Sequence, residues 1–511
     1  MTIDVKVPRS PGWWMARQFN LLTDRTRRNR LQLLHDYVSG NAPLPEGAEN
    51  CREAYQAFQK KARSNFAKLV VGAVSDRMTP IGFRTAVDSD ETGDAEVGNL
   101  WERAGMEVRA ADTHKLMLSL SESYVIVGAV DPETAAPRIT AEDPRFMVGE
   151  PDPEDDRRLL AALKVLRDDA SNEDRAYLYL PGRETPSGRS QVWVARRKIS
   201  SYEPSVMDGT RVRTGVMMSF EPRAWEWDPV RSGELPHPLM PVVRFDNEDG
   251  FGEYEPHLDI LDRINHQILQ RLVIATLQAF RQKAIKGLPV KDKAGKEIDY
   301  AGLFTADPGS LWQIPKDAEM WESGQVDLTP ILSAVKDDVQ HLAAVTRTPM
   351  VMLMPAGDNQ SAEGATFQRE GLVFKVDDRI SRCSNRWARV MAVALLHAGQ
   401  AERADLARLR TIWAPTQRLS LAERGDAAVK AINDLPRRSR LIHIWGFSPS
   451  EADRMMSEWE YDQLVAAQTA AVAAEAQQAQ QQAQDTQGQQ DQQQGDGGGG
   501  KPPAGDGQDA G

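Results

Sequence analysis

The sequence predicts a mixed α+β protein of several domains with a disordered C-terminal tail, and three features carry that prediction. Apolar residues recur at spacings of three and four before residue 80 and again after 255, the period of helices with one buried face. Between 81 and 250 they come instead in short runs parted by Pro, Gly and Asp clusters, as in a series of strands. From Ala466 the chain turns Ala/Gln-rich and then Gln/Gly/Asp-rich, a composition that cannot bury a core. With 511 residues, 41% of them hydrophobic, the rest has material for more than one domain.

In order along the chain, Leu31, Leu34, Tyr37 and Val38 share one helical face, which Gly40-Asn-Ala-Pro43 ends. A second helix is expected over 51–78, striped by Tyr55, Phe58, Ala62, Phe66, Leu69, Val70 and Val74. The segment 116–124 reads as helix running into a strand at 125–130. Ile139, 146–148, 161–166, 176–180, 191–195 and 216–220 continue the series as an antiparallel sheet. Pro256 suits the first turn of a helix that runs to about Lys283 with Leu258, Leu261, Ile264, Ile268 and Leu272 on its stripe.

A β-type insert follows, with a hairpin at 290–298, a strand at 311–314 and Gly324 closing it. Thr329-Pro330 opens a helix to about Thr346, and 348–361, which holds Pro349 and Pro355, reads as a loop. The helix expected over 363–397 has the cleanest period: Val373, Val376, Ile380, Cys383, Trp387, Val390 and Ala394. At 1.5 Å per residue it is roughly 50 Å long, more than a compact domain needs. A strand at 411–413 precedes two capping boxes, Ser420-Leu-Ala-Glu423 and Ser448-Pro-Ser-Glu451, each announcing a helix. The second helix extends a little past Ala466 and disorder follows.

Chemistry-bearing motifs are scarce. A net charge of −12 argues against a protein that grips phosphates, which shows a basic patch. Cys51 and Cys383 support neither a disulfide framework nor a thiolate metal site. The N-terminus lacks the apolar core of a signal peptide, and no run nears the ~18 apolar residues of a membrane span. A soluble intracellular or particle-bound protein, without membrane contact, is expected.

Gly495-Asp-Gly-Gly-Gly-Gly-Lys501 has the spacing of a phosphate loop but is followed by Pro502, with no strand before it. The acidic stretches 88–94 and 150–156 read as solvated turns, the first because Asn99 stands where a calcium loop carries a bidentate Glu. His237, His257, His266 and His341 are expected in solvated or capping roles. Asp337-Asp338 and Asp377-Asp378 diverge around a helix. No catalytic residue, metal site or cofactor is expected, and the chain does not read as an enzyme.

What remains is an order of elements: helix, β insert, helix, loop, very long helix. Such apolar faces are satisfied either by neighbouring copies in a ring or by the chain's own α+β domain. In this order the sequence resembles the portal proteins of long-tailed bacteriophages with double-stranded DNA. The likeness rests on Tyr37-Val38-Ser-Gly40, Asn65-Phe-Ala-Lys-Leu-Val-Val71, Leu235-Pro-His-Pro-Leu-Met-Pro-Val-Val-Arg-Phe-Asp-Asn247, and the stretch from Thr348-Pro-Met to Gln360-Ser-Ala-Glu-Gly364. It covers about residues 15–465.

The resemblance implies a dodecameric ring. In it 1–254 forms most of the wing, 255–286 and 327–347 the stem helices, 287–326 a small α/β clip, 348–362 a tunnel loop, 363–400 a long wing helix and 401–465 the crown. The tail 466–511 is outside the family core. The implied function is a channel at one capsid vertex through which DNA is packaged and ejected, in the virion and in the host cytoplasm during assembly. Implied partners are the terminase large subunit, a head-completion adaptor, major capsid and scaffolding proteins, and non-specifically passing DNA. Met350, Met352, Met354, Asn359 and Gln360 are the expected tunnel-loop contacts, and Trp312 and Trp321 the expected clip docking surface. Another structural head protein, of minor-capsid or scaffold type, and a DNA-processing enzyme are the alternatives.

Overall fold

The structure is a computed structural model that describes residues 3–45, 53–88, 93–168, 170–198, 220–279, 283–291, 295–298, 319–322, 324, 326–354, 362–417 and 421–494. It is of mixed α+β class, and the chain divides into two compact units, Met1–Pro449 and Ser450–Gly511.

The first unit opens with α1 (Pro11–Thr23), started by the Ser10 hydroxyl, which accepts from Trp13 N–H, and α2 (Arg25–Ser39), capped by Asp24. Leu31, Leu34 and Tyr37 are buried, and Gly40 ends α2 at φ 82°, in the left-handed region that favours glycine. The single helix expected over 51–78 is two helices, α3 (Glu53–Ala62) and α4 (Phe66–Ser75). Side chains that compete with the helical ladder make the break. Asn65 Oδ1 accepts from Lys68 N–H, its Nδ2 donates to Val38 O at 3.0 Å, and Ser64 donates its N–H and hydroxyl to Asn265 Oδ1.

Next come β1 (Pro80–Arg84), α5 (Ala95–Arg103), α6 (Met106–Leu120), β2 (Glu122–Asp131) and β3 (Ala136–Glu142). Helix α6 starts ten residues before the expected 116, and Ser121 at φ 70° turns the chain into β2. A second sheet holds β4 (Met147–Pro151), β5 (Leu159–Asp168), β6 (Glu173–Leu180), β7 (Gln191–Lys198), β8 (Glu226–Trp227) and β9 (Gly233–Glu234). Its order is β4-β5-β6-β7-β8, with β9 also on β7, and its ladders are antiparallel as expected. Helix α1 lies on it and buries Trp14, Met15, Phe19 and Leu22 against Leu163, Leu178 and Trp225. The strand expected at 216–220 lies outside the described residues except Phe220, whose ring stacks on Phe19 at 4.6 Å.

Strand β10 (Val242–Asp246) returns to pair with β2, giving the order β10-β2-β3. The chain then forms α7 (Leu258–Ala279), β11 (Lys283–Lys286), β12 (Glu319–Glu322), α8 (Thr329–Val345), α9 (Met350–Leu353) and α10 (Ala362–His397). Helix α10 is the spine of the main core. Its Val376, Cys383, Trp387, Val390 and Ala394 are buried as read, although Leu372 rather than Val373 is the buried residue at its start. The Trp387 ring contacts Trp101, His114 and Phe245. Strand β13 (Arg410–Trp413) pairs antiparallel with β1, and α11 (Leu421–Lys430), α12 (Arg437–Arg440) and a π-helical turn at Leu441–Trp445 follow.

The second unit is the helix α13 (Pro449–Gln494). It continues through residues where disorder was expected. No proline interrupts it, and Ala, Gln and Glu are strong helix formers, so propensity sustains it without burial. Side chains 457–480 are all exposed. Gly495 and the rest of the glycine-rich motif lie outside the described residues.

Candidate functional site

The helices α7 and α8 form a hairpin. At its far end β11 and β12 pair antiparallel, Lys283 opposite Glu322 and Lys286 opposite Glu319. Lower down, Arg263 Nη2 donates to Asp338 Oδ1 at 2.6 Å and Gln267 Nε2 to Asp338 Oδ2 at 2.8 Å, which fixes the register of the two legs. Asp338, one of the diverging acidic pair, is thus spent on holding the hairpin together. Helix α7 ends at Ala279, and Lys283 begins a strand where helix was expected. Beyond the tip, Ile298 N–H donates to Val290 O and Lys291 bridges Glu297, with Gly295 at φ 79°, which is the expected hairpin at 290–298.

Only the base of the hairpin is buried. Ile260, Leu261, Ile264, Val339, Leu342 and Ala343 enter the main core. Further out, from 266 to 276 and from 329 to 338, the only buried residue is Leu269. Leu272, Val273, Ile274, Ile331 and Val335 are half-buried there, and Leu332 is 47% exposed. A stripe of this kind on a pair of helices leaves apolar area uncovered.

The base is rooted in a buried ionic cluster. Glu253, just ahead of α7, accepts from Lys375 Nζ at 2.5 Å and Arg379 Nε at 2.7 Å, both on α10, and from Asn247 Nδ2 at 3.1 Å. Lys375 Nζ also donates to Thr346 O at the end of α8, at 2.9 Å. One cation on α10 therefore holds the start of one leg and the end of the other. Burial raises the Glu253 pKa, but Lys375 and Arg379 outweigh it and the carboxyl stays below its ordinary value. Arg379 reaches on to Glu248 and Asp378. Arg347, the residue after Thr346, sits at φ 50°, a strained turn for a non-glycine residue.

Past this turn the stretch expected as a loop contains the one-turn helix α9. Met350, Met352 and Met354 are half-buried against the main core. Met352 also lines a cleft of about 580 Å³ with Val38, Leu69, Gly72 and Lys115. Asn359 and Gln360 lie outside the described residues. So does Trp312, whereas Trp321 lies on β12 and is 59% exposed beside the exposed Met320.

The acidic turns spend their charges on arginines, and Asp94, expected in a solvated turn, is buried. Asp94 caps α5 and pairs with Arg403, Glu150 pairs with Arg17, Asp152 with Arg183 and Asp155 with Arg157. The expectation for His237 is overturned, because its ring is buried against His397, with the two Nε2 atoms 3.1 Å apart. The Pro-His-Pro segment turns inward because Gly182 N–H donates to Pro238 O and Ser190 N–H to His237 O. Sequence reading also missed His114, whose Nε2 accepts from Trp387 Nε1 at 2.8 Å inside the core. Among the described residues no group of three His, Cys, Asp or Glu could hold a metal ion, and no helix is long and apolar enough to cross a membrane.

No family model matches the chain, and no curated protein does. Among solved structures it is similar to a chain described as "Neck of native GTA particle computed with C12 symmetry". That match has 12% identity and a TM-score of 0.38, and it covers 81% of this chain and 98% of the other.

Proposed function

We propose that this chain is a portal subunit of a tailed bacteriophage, one member of a ring at a capsid vertex through which DNA is packaged and ejected. The observation that carries the reading is the α7/α8 hairpin, rooted at its base in the core by an ionic cluster and uncovered along its outer half. An isolated chain has no use for such a stripe. Neighbouring copies related by rotation cover it, and a closed ring leaves none over. The order of strings that resembles the portal family supports the same reading, since it assigns this hairpin to the ring's stem.

In this role the protein does no bond chemistry. The motor that hydrolyses ATP is a separate protein, the terminase large subunit. The portal supplies a docking end at the β11–β12 tip, where Trp321 is the exposed aromatic anchor, and a passage for DNA. A net charge of −12 suits a wall along which a phosphate backbone slides without being held. A head-completion adaptor takes the motor's place at that end, and capsid and scaffolding proteins surround the ring in the virion. By the same resemblance, Met350, Met352, Met354, Asn359 and Gln360 belong to the tunnel-loop segment that meets the passing DNA.

Native mass spectrometry with negative-stain imaging of the full-length chain tests this. The expected result is a ring of about a dozen subunits with a central hole. A monomer or dimer that persists at high concentration refutes it.

A further inference from the structure

The geometry points to a two-histidine site for a divalent transition-metal ion, formed by the Nε2 atoms of His237 and His397. His237 lies in the Pro-His-Pro turn ahead of β10, and His397 is the last residue of α10, 160 positions later. Their Nε2 atoms are 3.1 Å apart, the ring planes cross at 89°, and the centroids are 4.7 Å apart. Two imidazoles bound ~2.05 Å from one ion put their Nε2 atoms ~3.1 Å apart when the angle at the ion is about 100°. A head-on N–H···N bond would hold the centroids further apart, so at least one ring is turned off the line between the two nitrogens.

The orientation of His237 is built in. Ser190 Oγ lies 2.7 Å from His237 O and 2.8 Å from Leu239 O, so the hydroxyl hydrogen goes to a backbone carbonyl. Ser190 Oγ is then an acceptor 3.4 Å from His237 Nδ1, and the Leu239 backbone also accepts from this ring. Nδ1 therefore carries the hydrogen and the Nε2 lone pair of His237 is bare. This is the arrangement by which a second shell fixes the tautomer of a ligating histidine. At present His397 Nε2–H fills the gap. An ion replaces that hydrogen when His397 shifts its own to Nδ1, and both rings stay neutral.

Neutral imidazoles are what a metal requires. Both rings are neutral in this arrangement, His237 with its hydrogen on Nδ1 and His397 with its hydrogen on Nε2. The position at the end of α10 adds the negative pole of a long helix, which favours a cation. His397 is half-buried, so the ion has a way in from solvent, and water fills its other coordination positions. Two nitrogen ligands with open positions suit Zn²⁺ or Ni²⁺ rather than Mg²⁺ or Ca²⁺. The bound ion would pin the end of the core helix to the turn that leads into β10.

The test is calorimetric titration of chelator-stripped full-length protein with Zn²⁺. The expected result is one tight ion per chain, lost in His397→Gln and His237→Gln and kept in His341→Gln, whose histidine lies on α8. A readout that needs no variant is diethylpyrocarbonate labelling with mass spectrometry. Zn²⁺ should protect His397 at least tenfold and leave the exposed His341 and His443 unprotected, whereas Mg²⁺ should protect none. Binding unchanged in His397→Gln, equal protection of all three histidines (adventitious binding at the surface only), or no uptake of Zn²⁺ overturns the site.

Discussion

Glu253→Gln is the substitution that probes the root of the hairpin. The carboxylate side chain is 2% exposed and faces two cations, Lys375 and Arg379, each 7% exposed. The amide keeps the shape and removes the charge. Arg379 then still has Glu248 and Asp378, but Lys375 keeps only the Thr346 carbonyl. Breaking a buried pair on one side costs about 3–5 kcal/mol because it strands the other charge. A stranded Lys375 escapes by giving up its proton, which at pH 7 costs about 5 kcal/mol from an ordinary lysine value. Burial has already lowered the Lys375 pKa, so the actual cost is smaller. About 3–4 kcal/mol of lost stability is expected.

Guanidinium unfolding with wild type and variant in parallel measures it, and Glu253→Gln/Lys375→Met should recover a good part of the loss. Hydrogen exchange should quicken at Thr348, whose N–H donates to Ala343 O at the end of α8. A loss below about 1 kcal/mol, or no change of exchange at the α8 end, refutes the claim that this cluster roots both legs. Acid acts on the same group. Its folded pKa lies below the ordinary 4.5, so its contribution is whole above pH 4.5 and fades as the pH falls through the folded value.

Three more outcomes follow. Burial holds His114 neutral with a pKa of about 3 against an ordinary 6.5, so from pH 6.5 down to about 3 the unfolded chain binds the extra proton. Stability should drop by about 1.4 kcal/mol per pH unit from this residue, and a His114→Gln unfolding series with an unchanged slope between pH 6.5 and 5 refutes it. A Cβ on Gly252 would lie 2.6 Å from Ser119 O, so Gly252→Ala should cost more than about 2 kcal/mol, read as a lower denaturation midpoint. In the proposed ring, Leu332→Asp on the uncovered side of α8 should give smaller species by native mass spectrometry while leaving the subunit's circular dichroism unchanged. Intact rings in that variant count against the hairpin as the joint between copies.

Much of the fold was legible because it repeats a short-range period. Leu31, Leu34 and Tyr37, or Val376, Cys383 and Trp387, declare their helices within a few turns. What escaped depends on partners far away. The helix break at Ser64 and Asn65 is set by Val38 and by Asn265, two hundred residues on. The pairing of β1 with β13 has no local sign, since either strand alone is too short to name its neighbour. In the candidate site the two legs and the insert were readable, but Glu253, Lys375 and Arg379 look like ordinary surface charges until the fold brings them together. His237 looked solvated because it stands between two prolines, and only the backbone bonds of Ser190 and Gly182 turn it inward. The reach of α13 was underestimated because a composition unable to bury a core can still be rich in helix formers.

The β1–β13 ladder also sets a schedule for synthesis. Thr79 accepts its last backbone bond from Ala414, so the strand at residue 80 waits for one made more than 300 residues later. At roughly 5–20 residues per second, the ribosome needs on the order of half a minute to deliver that partner. Trp101 and Phe245 wait as well, because the Trp387 ring they pack on belongs to α10. A nascent chain therefore holds its early helices and sheets with their common core still open, and it closes only when almost the whole first unit has left the ribosome.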